Sequence, residues 1–361
     1  MSSLLEERAP MTAARLHGEN DIRIESVAGP PEPGPLQAVV APLWSGICGT
    51  DIKEFSGHGT ASTTPHALTG ASLPLILGHE FSARVEAVGS GIDNVKVGDE
   101  VAVYPLLHCG KCQACLAGEY TRCEIKAWTG LSSQWGGFGE RVLVEHYQLT
   151  PLNGISAVAG AVIEPAAVAL NASIRAGIGP GDIVYIAGAG AIGVLTMMAA
   201  QAAGASAVHV FELNPKRAAL VEKLGGQVVP EDAKDEIPAY LKSVSDGLGV
   251  HVAMDAAGRP AALEACVASV RSGGTVGIPS VHPGPTPVDV RRMTREDLTL
   301  VASIGYTRQA WEKTVRMTRA GVLDLEKIVT ARIPLADIVS RGFEVLSQPS
   351  DELKILVEVN E

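Results

Sequence analysis

Ile183-Val184-Tyr185-Ile186-Ala187-Gly188-Ala189-Gly190-Ala191-Ile192-Gly193 passes from a short apolar strand through a glycine turn and into a helix. Glycines at this spacing are weak evidence alone. Placed directly after a strand and at the mouth of a helix, they read as the phosphate turn of a dinucleotide-binding unit. Gly188 allows the tight turn, Gly190 lets the backbone approach a pyrophosphate, and Gly193 lets the helix pack on the strand while its first amides face the anion. Glu212 lies nineteen residues beyond Gly193, at the end of the next strand. A carboxylate there accepts both ribose hydroxyls of NAD(H) and repels the 2′-phosphate of NADP, the less favoured cofactor. The cofactor-binding candidates are therefore Gly188, Gly190, Ile192, Gly193, Glu212 and Arg217. Arg217 is within reach of the adenosine ribose, whereas Lys216 reads as solvated surface charge.

Outward from this turn the chain alternates strand and helix. Strands are expected at Ile183 to Ala187, Ala207 to Phe211, Gln227 to Val229, Val250 to Asp255, Thr275 to Ile278 and Leu298 to Ile304. Helices are expected at Ala191 to Ala203, Pro215 to Leu224, Ala233 to Ser245 and Pro260 to Arg271. Six strands alternating with helices predict an α/β fold with a doubly wound parallel sheet. Upstream, from Asp21 to Ala102, short Val- and Ile-rich runs are punctuated by glycine and proline, which predicts a mainly β, barrel-like domain. Downstream, Gln309 to Ala320 reads as a helix and Lys354 to Val359 as a strand returning to the first domain. The expected division is 1–168 with 306–361 as one domain and 169–305 as the dinucleotide-binding domain.

The chain has 361 residues, 46% of them hydrophobic, which is enough for two cores. Its 29 Lys and Arg against 40 Asp and Glu give a net charge of −11, which repels a phosphate backbone and argues against nucleic acid as a partner, beside its ordinary effect of keeping the chain soluble. No apolar run reaches the ~20 residues that span a bilayer, so no membrane partner is expected. Met1 to Glu7 is polar and acidic and carries no signal-peptide pattern, so a reducing cytoplasm is the expected setting.

Cys109-Gly-Lys-Cys112-Gln-Ala-Cys115-Leu-Ala-Gly-Glu-Tyr-Thr-Arg-Cys123 places four of six cysteines in one loop, expected to form a lobe over 105–125. Two disulfides are the alternative, but a reducing compartment disfavours them. Four thiolates close a tetrahedron around Zn²⁺ at about 2.3 Å and leave no open position, so this zinc is structural. Elsewhere, Gly46-Ile-Cys48-Gly-Thr50-Asp51, Gly78-His79-Glu80 and Val162-Ile-Glu164-Pro165 bring a thiol, an imidazole and carboxylates into the same chain. Alone, a cysteine is most often a small buried hydrophobe and a histidine a satisfied core or surface group. Together with Glu164 they supply the three ligands a catalytic zinc needs, although spacing by itself leaves that assignment open.

Taken together, these motifs resemble the zinc-dependent medium-chain dehydrogenases over nearly the whole chain, and most of all their 2,3-butanediol and sorbitol dehydrogenase branch. The resemblance implies a GroES-like catalytic domain beside the Rossmann-type domain, with two Zn²⁺ per chain, one catalytic and one structural. It also implies NAD(H), a small-molecule alcohol or ketone substrate, and a homodimer or homotetramer. By the same resemblance Cys48, His79 and Glu164 hold the catalytic zinc, with Glu80 an alternating ligand or a carboxylate behind it. Asp51 would orient His79, and Thr50 would hydrogen-bond the substrate hydroxyl. The implied substrate is a secondary alcohol, above all a vicinal diol or hydroxyketone such as 2,3-butanediol or acetoin. A polyol, an amino alcohol or a specialised intermediate is the alternative, and a non-catalytic NAD-binding redox sensor the remote one. Two positions depart from the family's pattern. Lys53 stands where a relay histidine is usual, leaving His58 and His66 as weak substitutes, and Asn171 stands where this branch has histidine. Cys266, in an apolar helix, reads as a buried small residue.

Overall fold

The computed structural model describes residues 9–360, which divide into two compact units. One is formed by the chain up to Glu164 together with the chain from Asp324 on, the other by Pro165–Leu323. The sequence expectation placed 306–323 with the first domain, but this stretch packs in the second unit. There Asn171 Nδ2 donates to Ser303 Oγ at 3.1 Å and to the Gly305 carbonyl at 3.2 Å. Tyr306 also stacks on the buried Trp311 of the helix Arg308–Arg319, with ring centroids 5.6 Å apart.

In the first unit the long strand Gln37–Gly46 is the hub of a largely antiparallel sheet. It pairs with Glu80–Val88 and Val142–Glu145, and its end pairs with the C-terminal strand Ile355–Glu358. The expected return of the C-terminus to this domain is therefore observed. A smaller sheet joins Asp21–Ala28, Pro10–Gly18 and Leu75–Ile76. Alternating Ala38, Val40, Phe81, Ala83, Val85, Val101 and Val103 close the interior of the main sheet, each large apolar side chain contributing roughly 1.5–3 kcal/mol by leaving water.

The second unit holds six parallel strands in the order Gln227–Val228, Ala207–Phe211, Ile183–Ala187, Val250–Asp255, Val270–Ile278, Thr299–Ala302. The order reverses beside Ile183–Ala187, so a ligand crevice is expected at that strand's carboxyl end. Several boundaries differ from expectation, among them the strand expected at Thr275 to Ile278, which already begins at Val270, and the one expected at Leu298 to Ile304, which is Thr299–Ala302. The helix Pro260–Ser269 stops two residues early because Val270 already pairs with Val250, and the expected Ala233 to Ser245 helix reduces to Ile237–Ser243, with Pro238 in its first turn.

A helix absent from the sequence reading, Ala157–Arg175, spans the boundary between the units in the chain. By length and composition it is apolar enough to cross a membrane, yet 83% of its apolar window is buried inside the protein, as in a core helix.

Candidate active site

The ladder between Gln37–Gly46 and Glu80–Val88 sets Gly46 opposite Glu80. That register closes the long interval between the two sequence motifs. Cys48 follows two residues after Gly46 and caps the helix Gly49–Phe55, while His79 directly precedes Glu80. Ligand atoms of Cys48, His79 and Glu80 consequently lie within 4.8 Å of one another. Asp51, fully buried in the first turn of that helix, accepts the Cys48 amide through Oδ2 at 2.9 Å. Its Oδ1 lies 3.4 Å from His79 Nδ1, an ion-pair contact that falls short of hydrogen-bond geometry, and neither atom has another partner. Burial alone would pull the His79 imidazole down, but the Asp51 carboxylate and the Cys48 sulfur outweigh it and hold the imidazole well above its ordinary value. A thiol, an imidazole and a carboxylate so gathered are a donor set that suits a zinc ion.

Lys354 is a member of this cluster that sequence reasoning missed. Its Nζ donates to Glu80 Oε2 at 2.6 Å and to the Ile47 carbonyl at 3.1 Å, with both side chains buried. Burial pulls the ammonium down, but Glu80 above all, with Cys48 and Glu164, carries it above its usual value. Gly46 makes the pair possible, because a Cβ there would collide with the Glu80 carboxylate and crowd Lys354 Cδ at 3.4 Å. No spacing rule reaches Lys354, which lies 274 residues from Glu80 in the chain.

The other expected residues fall as follows. Glu164 is buried on Ala157–Arg175, and its charge is felt at Lys354, but it stands outside the 4.8 Å group. Glu80 is inside because its strand is paired directly to the one leading into Cys48. Thr50 and Lys53 are exposed on the helix that Cys48 caps. His58 is exposed and contacts Ser56 Oγ, and His66 Nδ1 accepts the Leu68 amide, so both serve the local loop.

The strands Leu106–Leu107 and Ala127–Trp128 pair at the base of the cysteine loop. All four sulfurs lie within 4.8 Å of one another, with Cys109 and Cys115 Sγ 3.9 Å apart. That separation is far too long for a disulfide and close to the ~3.8 Å edge of a tetrahedron with 2.3 Å arms. Backbone amides of Cys115 and Glu124 pull the Cys112 thiol down to about 6, whereas burial pushes Cys115 up. The soft, closely spaced donor set fits zinc.

In the second unit Gly188 adopts φ +97, and a Cβ on Gly193 would strike the Gly188 carbonyl, so both positions require glycine. Glu212 is half-buried, and its carboxylate accepts the amides of Ala189, Leu213 and Asn214, each at 2.8 Å. It is thereby tied to the glycine turn itself.

Residues 34–154 match the family model described as "Alcohol dehydrogenase GroES-like domain", and residues 191–320 match "Zinc-binding dehydrogenase". The chain is 35% identical to the (R,R)-butanediol dehydrogenase of Bacillus subtilis (strain 168), across 97% of this chain and all of that one. It belongs to the zinc-binding alcohol dehydrogenase family. The dehydrogenase superposes on the crystal structure of 2R,3R-butanediol dehydrogenase from Bacillus subtilis with a TM-score of 0.91 at 34% identity, covering 97% and 100% of the two chains. A zinc-binding dehydrogenase from Sinorhizobium meliloti 1021 bound to NADP gives a TM-score of 0.86 at 30% identity, covering 97% and 100%.

Asn171, which departs from the family's pattern, and Cys266, expected to be a buried small residue, both have structural places in the dehydrogenase. Asn171, through its bonds to Ser303 and Gly305, anchors the segment after the last strand of the parallel sheet. Cys266 is fully buried, and burial holds its thiol well above the ordinary range, in keeping with a buried small residue.

Proposed function

We propose that this dehydrogenase oxidises a secondary alcohol, above all a vicinal diol of the butanediol kind, to the hydroxyketone with NAD as hydride acceptor. With NADH it runs the reverse reduction. The grouping of Cys48, His79 and Glu80, backed by Asp51 and Lys354, carries the reading. Relatives of this length named for butanediol point to the substrate class. The reading holds two zinc ions per chain, a structural one on Cys109, Cys112, Cys115 and Cys123 and a catalytic one on Cys48, His79 and a glutamate. Glu80 lies within reach of that pair, and Glu164 is the glutamate the family resemblance supplies. When bound there, zinc supplies the Lewis acidity that makes an alcohol proton easy to lose.

The remaining work belongs to the chain. Thr50 hydrogen-bonds the substrate hydroxyl, Asp51 holds the His79 ring in place, and Lys354 offsets the Glu80 charge. The amides that open the helix Ala191–Ala202 receive the pyrophosphate. Glu212 takes the adenosine ribose hydroxyls; held by three amides, it stays where a 2′-phosphate would otherwise sit, which favours NAD over NADP. Arg217, half-buried in the helix after Glu212, would be within reach of that ribose. A reducing cytoplasm suits the free cysteines. A homodimer or homotetramer suits the edge strand Thr299–Ala302, where Leu300 and the following Ile304 are exposed.

The test is NADH formation by the purified chain against the stereoisomers of 2,3-butanediol, sorbitol, threonine and simple secondary alcohols, with acetoin reduction as the reverse assay. Turnover of one butanediol isomer with NAD above NADP is expected. Inertness toward both butanediol and acetoin sinks the substrate assignment.

A further inference from the structure

Beyond the glycine turn, the carboxyl edge of the parallel sheet holds a half-buried imidazole, His282, to which the reading above gives no role. Asp255 ends the strand Val250–Asp255, directly beside Ala187, and its side chain is fully buried. Its Oδ1 accepts the amides of Ala257 at 3.1 Å and Gly258 at 2.9 Å. Its Oδ2 lies 2.7 Å from His282 Nε2, and His282 Nδ1 lies 2.8 Å from Thr286 Oγ1. An ionised carboxylate only accepts, so Nε2 carries the hydrogen and both ring nitrogens are engaged.

His282 belongs to the loop Pro279-Ser-Val-His-Pro-Gly-Pro-Thr286 that follows the strand Val270–Ile278. This loop presses on the turn after Asp255: a Cβ on Gly258 would lie 3.1 Å from the Val281 carbonyl and 3.3 Å from Ser280 Cβ. The turn in turn presses on the glycine turn, since the Ala256 amide donates to the Ala187 carbonyl at 3.0 Å and a Cβ on Gly188 would lie 3.1 Å from Ala257 Cβ. A chain of close contacts thus runs from the imidazole to the phosphate turn. With Glu212 taking the adenosine half on the side of Ala207–Phe211, the opposite half of a bound dinucleotide would extend over Val250–Asp255 and Val270–Ile278.

We propose that His282 is a positioning residue for the dinucleotide, clamping the 279–286 loop onto Asp255 and so holding in place the turn that backs Gly188. The inference rests on the cofactor reading above. Prolines stiffen the loop, so a side-chain bond at one point can hold it in a single position.

Glutamine places its amide nitrogen near imidazole Nε2 and keeps the donor to Asp255, whereas asparagine places its nitrogen near Nδ1 and loses that donor. NADH titration by fluorescence, with steady-state KM values, is therefore run on the zinc-loaded enzyme and on His282→Gln, His282→Asn and His282→Ala. His282→Asn and His282→Ala are expected to weaken NADH binding about tenfold, the cost of one charge-assisted hydrogen bond. The KM for NAD should rise while that for the alcohol holds, and His282→Gln should stay within about threefold of the unaltered enzyme, which a charge-assisted donor kept in place allows. Equal NADH affinity in all four proteins overturns the proposal, as does failure of glutamine to rescue or an equal rise in both KM values. If the unaltered enzyme itself binds no NADH, the cofactor reading falls and this inference falls with it.

Discussion

Replacing Lys354 with methionine keeps most of the side-chain volume and removes its charge, leaving the Glu80 carboxylate buried without its partner. Nζ sits 2.6 Å from Oε2, with the two side chains 3% and 1% exposed. An exposed pair would be worth under about 1 kcal/mol, but losing one partner of a buried pair costs roughly 3–5 kcal/mol. Each kcal/mol shifts the midpoint of a domain of about 200 residues by roughly 2–4 °C, so the first unit should melt on the order of 10 °C lower. Circular dichroism melts after dialysis against a chelator read this directly, and they should be repeated with zinc, whose charge would restore part of the loss. Lys354→Met with Glu80→Gln should recover most of the midpoint, because no lone charge then remains buried. A Lys354→Met midpoint within about 2 °C of the unaltered protein, or a double variant as unstable as the single one, would refute the reasoning. The alkaline limb gives a second check. A lysine held above its ordinary 10.5 contributes stability that is complete below that pH and is lost as pH rises through its folded value. The unaltered protein should therefore lose more stability above pH 10.5 than the methionine variant does.

Two further outcomes are expected. Glu212→Ser should raise the KM for NAD about tenfold and increase the use of NADP, since the hydroxyl neither accepts both ribose hydroxyls nor repels a phosphate; an unchanged cofactor ratio would remove Glu212 from the ribose site. Cys112→Ser should lower the zinc content from two to one per chain and the melting temperature with it, while NADH affinity holds; two retained zincs would show that the four-cysteine loop is not the second metal site.

The parallel sheet was readable because its signals are local. Val184-Tyr-Ile-Ala187 is an unbroken apolar run ending in a glycine turn, and the observed strand Ile183–Ala187 has the expected limits. The cysteine loop was equally legible, with its four sulfurs spaced over one short segment. Ala157–Arg175 escaped because its pattern is apolar all round, as befits a helix buried on most sides, and Pro165 interrupts it. The placement of 306–323 escaped because a helix's own sequence does not say which core it will join; the Thr307 amide donates to Asn171 Oδ1, 136 residues away in the chain, a contact no local pattern reveals.

By itself the sequence determined the family and pointed to two chemistries, dinucleotide binding and thiolate metal ligation, because each signal depends on residue types at short fixed intervals. Only the tertiary structure decided who stands beside whom in the buried cluster. The Gly46–Glu80 register brings Cys48, His79 and Glu80 together, the C-terminal segment delivers Lys354 into that pocket, and the loop after Val270–Ile278 delivers His282 to Asp255. Those neighbours come from strand pairing and core packing over hundreds of residues, where the pairing energy is set by burial and register and leaves no mark in local spacing.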